Sequence, residues 1–378
     1  MLRPILVVGV LSLASLGAQA ANFTPLGDLA GGTFHSGAYG VSDDGRVVVG
    51  TGRSTSGPEA FRWTVDGGMI GLGTLPGGSF YSSAAGVSAD GSVVVGQSYD
   101  QESFRWTSAS GMVGLGKLSG LSLMSITNDV SADGSVVVGW SANGSRAQAF
   151  RWTSDGGMVG LVNPVGNGAS SLGYGASADG SVVVGVADSV SSSQAFRWTS
   201  GSGMVGLGDL PGGNFQSAAY DVSPDGSVVV GSGTSASGGQ AFRWTSGGGM
   251  VGLGNLPGSE AFFQSTARAV SADGSVVVGY GNYTGGNVIS FVWTQATGME
   301  RLFDVLLTNG ATGLTGWGTL IVSGVSADGQ WVVGEAINPL GQTEAFLANI
   351  TPVPIPAAAW LFGGALGLLG VVRRRSVA

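Results

Sequence analysis

A ten-residue segment, VSADGSVVVG at residues 87–96, recurs along the chain and constrains its fold more than any other feature. Its copies begin at Val41, Val87, Val130, Ala176, Val222, Val270 and Val325. The starts are 43 to 55 residues apart, a period that is typical of chains built from repeated supersecondary units. The sequence therefore predicts seven equivalent structural modules.

Each repeat has the pattern of four short strands. In one typical repeat these are residues 194–199, 203–208, 217–223 and 227–231. Aromatic residues alternate in the first segment, and Asp225-Gly226 between the last two is a tight-turn signal. The 71 glycines of the chain fit many such turns. Four antiparallel strands in about 46 residues are typical of a β-propeller blade.

The ends of the repeat array indicate how the ring closes. The seventh repeat has its FRWT-like segment at Phe346, but no GM-x-x-L strand follows it. A matching strand lies instead at residues 22–26, followed by GDLAGG, which resembles the linker at residues 73–78. We therefore predict an all-β, seven-bladed propeller in which one N-terminal strand completes the last blade and leaves no open edge.

Two details of the repeats carry further predictions. Arginines at one position of five repeats need partners, either aromatic rings or carbonyl groups of the next blade. They are Arg62, Arg105, Arg151, Arg197 and Arg243, and the last two repeats have Val292 and Leu347 there. Apolar residues at helical spacing in residues 299–309 predict one short helix, with a distorted outer strand as the alternative.

The two ends of the chain have the composition of targeting segments. Residues 1–20 combine Arg3, an apolar run and the small residues Ala18 and Ala20, which predicts a secretory signal peptide cleaved after Ala20. A retained membrane helix is the alternative. A Pro-containing motif precedes an apolar helix-compatible run at 358–372 and a terminal arginine cluster. The motif is Val353, Pro354, Ile355, Pro356 and Ala357, and the cluster is Arg373, Arg374 and Arg375. The predicted divisions are 1–20, 21–350 and 351–378.

Both parts of the chain resemble known bacterial families. The C-terminal arrangement resembles the PEP-CTERM sorting signals in their VPLPA variant, which implies an exosortase-type processing enzyme as partner and a surface or secreted location. A plain C-terminal membrane anchor is the alternative. The body, with GLG-x-LPGG, VS-x-DG-x-VVVG and AFRWT in order, resembles the HAF family of extracellular repeat proteins over residues 22–350. That resemblance implies an exported bacterial protein built from β-strand repeats. We expect a secreted or cell-surface protein of a Gram-negative bacterium that is transiently anchored in the inner membrane.

Composition excludes several kinds of chemistry. A formal net charge of −8 disfavours nucleic acid as a ligand, and the chain has no cysteine and one histidine, His35. We predict no catalytic triad, no metal site and no cofactor. The seven Asp-Gly turns predict hydrogen bonds within the turn, with weak cation binding as the alternative. Their aspartates are Asp44, Asp90, Asp133, Asp179, Asp225, Asp273 and Asp328.

The candidate binding surface is a variable loop position six residues before each copy of the core motif. Its residues are His35, Tyr81, Met124, Ser170, Gln216, Gln264 and Thr319. In a propeller this loop lies at the rim of the central channel. Four phenylalanines stand just before four of these residues and are candidates for sugar stacking, or alternatively pack inward. They are Phe34, Phe80, Phe215 and Phe263.

These features favour a non-enzymatic binding module for polysaccharide or protein at the cell surface or in the extracellular matrix. The alternative is a glycan-active lyase or hydrolase on the same scaffold, and a third possibility is a structural coat component. An enzyme of this kind requires carboxylates that converge at the channel. Asp129, Asp221 and Glu260 lie near the channel mouth but form no pair that can be read from the sequence. Carboxylates clustered at the channel would favour the enzyme, and scattered ones would favour the binding module.

Overall fold

The computed structural model describes residues 22–351, except 78, 165–168, 189–191, 258–263 and 283–287. This part of the chain forms seven four-stranded antiparallel sheets, so the predicted seven-bladed propeller is confirmed. The predicted signal peptide, with Ala18 and Ala20, and the predicted sorting segment, from Val353 to Arg375, lie outside the described residues. Among the residues that are described, no helix is long and apolar enough to cross a membrane.

The strands follow the repeats in chain order. The first strand, β1 (Phe23–Pro25), belongs to the last blade. Blade 1 consists of β2 (Gly37–Val41), β3 (Val47–Ser54), β4 (Gly57–Thr64) and β5 (Gly68–Gly71). Blade 2 consists of β6 (Ser82–Val87), β7 (Val93–Ser98), β8 (Glu102–Thr107) and β9 (Gly111–Gly116). Blade 3 consists of β10 (Met124–Val130), β11 (Val136–Ala142), β12 (Ala147–Thr153) and β13 (Gly157–Gly160). Blade 4 consists of β14 (Ser171–Ala176), β15 (Val182–Asp188), β16 (Ser193–Thr199) and β17 (Gly203–Gly206).

The remaining blades repeat the pattern. Blade 5 consists of β18 (Gly212–Val222), β19 (Val228–Ser235), β20 (Gly238–Thr245) and β21 (Gly249–Gly252). Blade 6 consists of β22 (Gln264–Val270), β23 (Val276–Asn282), β24 (Val288–Thr294) and β25 (Gly298–Arg301), followed by the helix α1 (Leu302–Thr308). Blade 7 consists of β26 (Leu320–Val325), β27 (Trp331–Ile337), β28 (Thr343–Asn349) and β1. The first repeat strand of every blade lies innermost and lines the central channel.

The N-terminal strand closes the ring as predicted. β1 pairs antiparallel with β28, with Phe23 opposite Ala348, and so forms the outer edge of blade 7. The Phe23 ring lies 5.3 Å from the ring of Phe346 and 4.9 Å from that of Trp317. Because Phe23 is buried, this three-residue strand also contributes apolar contacts to the core of the last blade.

The core lies between the blades, and the VVVG segments show why their sequence repeats. Their valines are buried, except for the partly buried Val276, since the second strand has blade neighbours on both faces. The glycine that follows them sits against the inner strand. A Cβ at Gly96 would lie 2.0 Å from the carbonyl oxygen of Ser83, which leaves room for glycine alone.

The repeated arginines connect each of the first five blades to the blade that follows it. In blades 1 to 5 the Nε of this arginine donates a hydrogen bond to the carbonyl of the turn glycine in the following blade, at 2.9–3.2 Å. Arg151, for example, donates to Gly180 at 2.9 Å. Of the two partners proposed from the sequence, the structure shows the carbonyl. Val292 and Leu347 are buried at this position.

The predicted helix is present but starts later than the apolar pattern. α1 spans Leu302–Thr308, with Leu302 and Leu306 buried. Met299 lies in β25 instead, where it pairs with Trp293 of β24. The first three residues of the pattern therefore serve as the outer strand of blade 6, which the repeat requires.

Candidate functional site

A β-bulge interrupts the innermost strand of every blade at the same point. In β2, for example, the pairing with β3 shifts between Ala38 and Gly40, so that Tyr39 has no cross-strand partner. A bulge leaves its extra residue unpaired and re-aims the side chain. We call the seven bulge residues the channel ring. They are Tyr39, Ala85, Asn128, Tyr174, Tyr220, Arg268 and Ser323.

The channel ring surrounds a cavity of about 710 Å³. All seven ring residues line this cavity, together with Tyr280 of β23 and the carboxylate residues Asp129 and Asp221. Ligand pockets for small molecules typically measure about 300–1,000 Å³. The propeller therefore presents one side chain per blade to a space that is large enough for a short oligosaccharide.

Aromatic rings and one arginine cluster on one side of the cavity. The rings of Tyr174 and Tyr220 lie 5.3 Å apart. The guanidinium carbon of Arg268 lies 5.0 Å from the centre of the Tyr220 ring and 5.9 Å from that of Tyr280. At these distances the rings make cation–π contacts with the guanidinium. Such contacts orient the group without neutralising its charge. Among the described residues, no carboxylate lies within 4 Å of Arg268.

Asp129 and Asp221 follow the bulge in blades 3 and 5, where the other blades have glycine or alanine. Asp129 accepts hydrogen bonds from the amides of Val130 at 2.8 Å and Ala176 of the next blade at 2.9 Å. The Asp221 carboxylate accepts from Val222 and from Val270 of its next blade, both at 2.8 Å. Each carboxylate thus joins two blades while it lines the cavity.

Burial is the main cause of the raised pKa values of these two carboxyl groups. It raises the pKa of Asp129 to about 7, to which the nearby charge of Asp221 contributes. Burial likewise raises the pKa of Asp221 to about 6, against the opposing effect of its amide hydrogen bonds. Both groups therefore titrate close to neutrality, in the range where a carboxyl group can exchange protons.

One end of the channel is framed by seven equivalent residues, five of them alanines, on the turns that follow the inner strands. These are Asp43, Ala89, Ala132, Ala178, Pro224, Ala272 and Ala327. Five of their amides donate to the carbonyl of the equivalent residue in the next blade, at 2.8–3.1 Å. Pro224 has no N–H and cannot donate, so the series is interrupted there. This main-chain frame fixes the diameter of the channel at that end.

The aspartates of the Asp-Gly turns accept hydrogen bonds from residues of the same turn. In the turn of blade 4, Asp179 accepts hydrogen bonds from the Ser177 hydroxyl at 2.7 Å and the Ser181 amide at 2.9 Å. These bonds lower the pKa of Asp179 to about 2. The same two bonds recur in the other six turns. The geometry favours turn chemistry over cation binding, and the described residues hold no group of three or more potential metal ligands.

The rim candidates lie outside the cavity. Six of them are exposed, namely Phe34, His35, Tyr81, Phe215, Gln216 and Gln264, whereas Phe80 and Met124 are partly buried. None of these eight is among the cavity-lining residues. Phe263 and Glu260 lie outside the described residues. The rim candidates thus lie in the inner strands or in the loops before them, whereas the cavity is lined by the channel ring, which the sequence pattern did not single out.

Two rim candidates contribute to a second polar cluster near blade 1. His35 lies close enough to Glu335 for its charge to oppose the burial that raises the pKa of Glu335. Glu335 and Tyr81 in turn raise the pKa of Tyr39, after the larger effect of burial. A Cβ at Gly37 would lie 2.8 Å from Oε2 of Glu335 and 3.1 Å from the Tyr39 hydroxyl. The structure thus connects the rim to the channel ring through residues that the sequence did not single out.

Several solved structures are similar to this chain over most of its length. An oligogalacturonate lyase from Vibrio parahaemolyticus has a TM-score of 0.56 at 11% identity, covering 88% of this chain and 98% of that one. An oligogalacturonate lyase in complex with manganese has a TM-score of 0.54 at 12% identity, covering 88% and 97%. The β-propeller domain of Myceliophteria thermophila Cps50 (Swd1) has a TM-score of 0.51 at 10% identity, covering 88% and 100%.

Sequence comparison adds nothing to this, since no family model and no curated protein matches the chain. At identities of 10–12% the structural likeness shows the fold alone. By its structure, then, the chain belongs among the seven-bladed β-propellers.

Proposed function

We propose that the protein is a non-enzymatic binding module for polysaccharide and that the central cavity is its binding site. The observation that carries this proposal is the bulge repeated in every inner strand. It directs seven side chains of five residue types, three of them tyrosines, into one cavity, while the core motif that begins two residues later hardly changes. Side chains that vary on a constant frame are typical of a surface that recognises a ligand.

The chemistry of the cavity favours a sugar over a protein ligand. Tyrosine rings offer apolar faces for the C–H surfaces of pyranose rings and hydroxyls for their polar edges. Asn128 adds an amide, although its Nδ2 already donates to the carbonyl of Gly173 at 2.7 Å. A volume of about 710 Å³ admits a short oligosaccharide but no folded protein domain. A protein partner would have to bind at the rim.

Paired variants distinguish the cavity from the rim. Replacing both Tyr174 and Tyr220 with Ala removes the two neighbouring rings, and we expect oligosaccharide affinity to fall about 10-fold or more. Replacing Phe34 and Phe215 with Ala alters only exposed rim residues and serves as the matched control. Isothermal titration of the protein with a panel of acidic and neutral oligosaccharides measures both effects. Loss of affinity in the rim variant alone, or no binding to any member of the panel, would contradict the proposal.

A glycan-active enzyme is the second candidate, and one observation favours it. Asp129 and Asp221 line the same cavity with pKa values raised to about 7 and 6, as acid–base catalysis requires. Their four carboxylate oxygens, however, all accept main-chain hydrogen bonds. New reducing ends or unsaturated products during incubation with oligosaccharides, abolished in Asp129→Asn, would establish the enzyme in place of the binding module.

We further propose that the protein is exported and transiently anchored in the inner membrane, from which an exosortase-type enzyme releases it to the cell surface. The signal-peptide pattern at residues 1–20 and the motif at residues 353–357 support this. Intact mass of the protein from each cell fraction tests it. A surface species that ends near Pro356 is expected, whereas an inner-membrane species that retains Arg373, Arg374 and Arg375 would indicate a plain anchor.

A further inference from the structure

We propose that the polysaccharide bound in the channel is acidic, and that Arg268 binds the carboxylate of a uronic acid unit. This inference rests on the proposed function and specifies its ligand. Arg268 is the basic residue of the channel ring, and no other arginine or lysine in the described part of the chain lines the cavity. A bulge in β22, between Ala267 and Ala269, places it there.

The guanidinium is free to bind an anion. Its central carbon lies 5.0 Å from the centre of the Tyr220 ring and 5.9 Å from that of Tyr280, and its N–H groups donate no hydrogen bond to the described residues. Within the described structure no carboxylate is close enough to form an ion pair with it. An exposed arginine held this way retains both its charge and its hydrogen-bonding capacity.

Two of the three carboxylates that line the cavity already accept hydrogen bonds from the protein. Both oxygens of Asp129 and both oxygens of Asp221 accept amide hydrogen bonds from the protein. The remaining carboxylate, Asp43, lies on the turn at the framed end of the channel. Arg268 and Asp43 are therefore the charged groups of the cavity whose side chains make no hydrogen bond to the described residues. Only Arg268 lies beside the aromatic rings, so the surface that it forms with Tyr220 and Tyr280 favours an anionic over a cationic ligand.

The spacing of Arg268 and Tyr220 matches the chemistry of a uronic acid. In such a sugar the carboxylate is attached directly to the pyranose ring. A guanidinium 5.0 Å from a tyrosine ring can thus bind the carboxylate through two parallel hydrogen bonds while the sugar stacks on a neighbouring aromatic face. Tyr174, whose ring lies 5.3 Å from that of Tyr220, extends the aromatic surface to a second sugar unit.

A matched pair of ligands isolates the charge. We would titrate the protein with oligogalacturonate and with its fully methyl-esterified form, which keeps the sugar rings but lacks the negative charge. Wild type should bind the acid more tightly, and Arg268→Gln should weaken binding of the acid by about 10- to 100-fold. Affinity for the ester should not change. Arg268→Lys should restore only part of the loss, and Arg53→Gln, an exposed arginine away from the cavity, is the control.

The outcomes separate this inference from the proposed function. Equal affinity for acid and ester in wild type would overturn the acidic ligand but keep the binding module. If Arg268→Gln lowered the affinity for the acid and for the ester equally, the arginine would maintain the shape of the cavity rather than bind the negative charge of the ligand. If a sulfated oligosaccharide bound more tightly than the uronate, the assignment of a carboxylate as the ligand of Arg268 would be wrong. Failure of every saccharide to bind wild type would overturn the proposed function itself.

Discussion

At the scale of single residues, Asp129 and Asp221 couple the stability of the protein to pH. A carboxyl group of the unfolded chain releases its proton near pH 4. In the folded protein burial raises the pKa of Asp129 to about 7 and that of Asp221 to about 6. Between these values the unfolded chain binds fewer protons than the folded one. The contribution of both residues to stability is therefore greatest below pH 4 and is lost as the pH rises to about 7.

Replacing Asp129 with Ala tests this coupling. The variant removes the titrating group, so the fall in stability between pH 4.5 and 7.5 should become shallower than in wild type. It also leaves the amide of Ala176 without its acceptor, which costs about 1–3 kcal/mol. Denaturant unfolding at three pH values measures both effects. The exposed Asp66→Ala is the control and should leave the slope unchanged, and an unchanged slope in Asp129→Ala would refute the coupling.

At the scale of elements, one side chain and one turn connect each of the first five blades to the next. The Arg151 Nε donates to the Gly180 carbonyl of blade 4 at 2.9 Å, and four other arginines repeat this contact. Arg151→Leu leaves that carbonyl unpaired, and we expect a loss of about 1 kcal/mol in the free energy of unfolding. Leu347 occupies the equivalent position of blade 7, so the leucine should fit. Arg53→Leu, an exposed arginine, is the control, and an equal effect in the two variants would contradict the blade connection.

The elements also show how far the sequence could predict the site. Alternating aromatic residues and Asp-Gly turns predicted the strands, because both patterns depend on local geometry. The bulge that aims Arg268 and Tyr220 into the channel has no such local pattern. It depends on how seven inner strands meet around one axis, which is a property of the assembled ring. The wide variation two residues before each core motif was the signal that could have indicated the channel ring.

At the scale of the whole molecule, the ring depends on a strand of three residues. Phe23 of β1 packs on Phe346 and Trp317 and is almost fully buried. Phe23→Ala should therefore cost about 3–5 kcal/mol of stability, as is usual for a buried phenylalanine. Phe34→Ala, at an exposed position, should change stability by less than about 0.5 kcal/mol. Similar losses in the two variants would mean that the closing strand contributes little.

The closing strand joins parts of the chain that are far apart in sequence. The amide of Gly27 donates to Oε1 of Glu344 at 3.1 Å across 317 positions. Bringing the ends of so long a loop together costs roughly 5 kcal/mol of chain entropy, whereas strands within a blade pair locally. We therefore expect the local strand pairs of all seven blades to form early in folding and the pairing of β1 with β28 to form last. Until residues 343–349 are available, β1 has no partner, so the time needed to produce a closed ring is set by the arrival of the end of the repeat array.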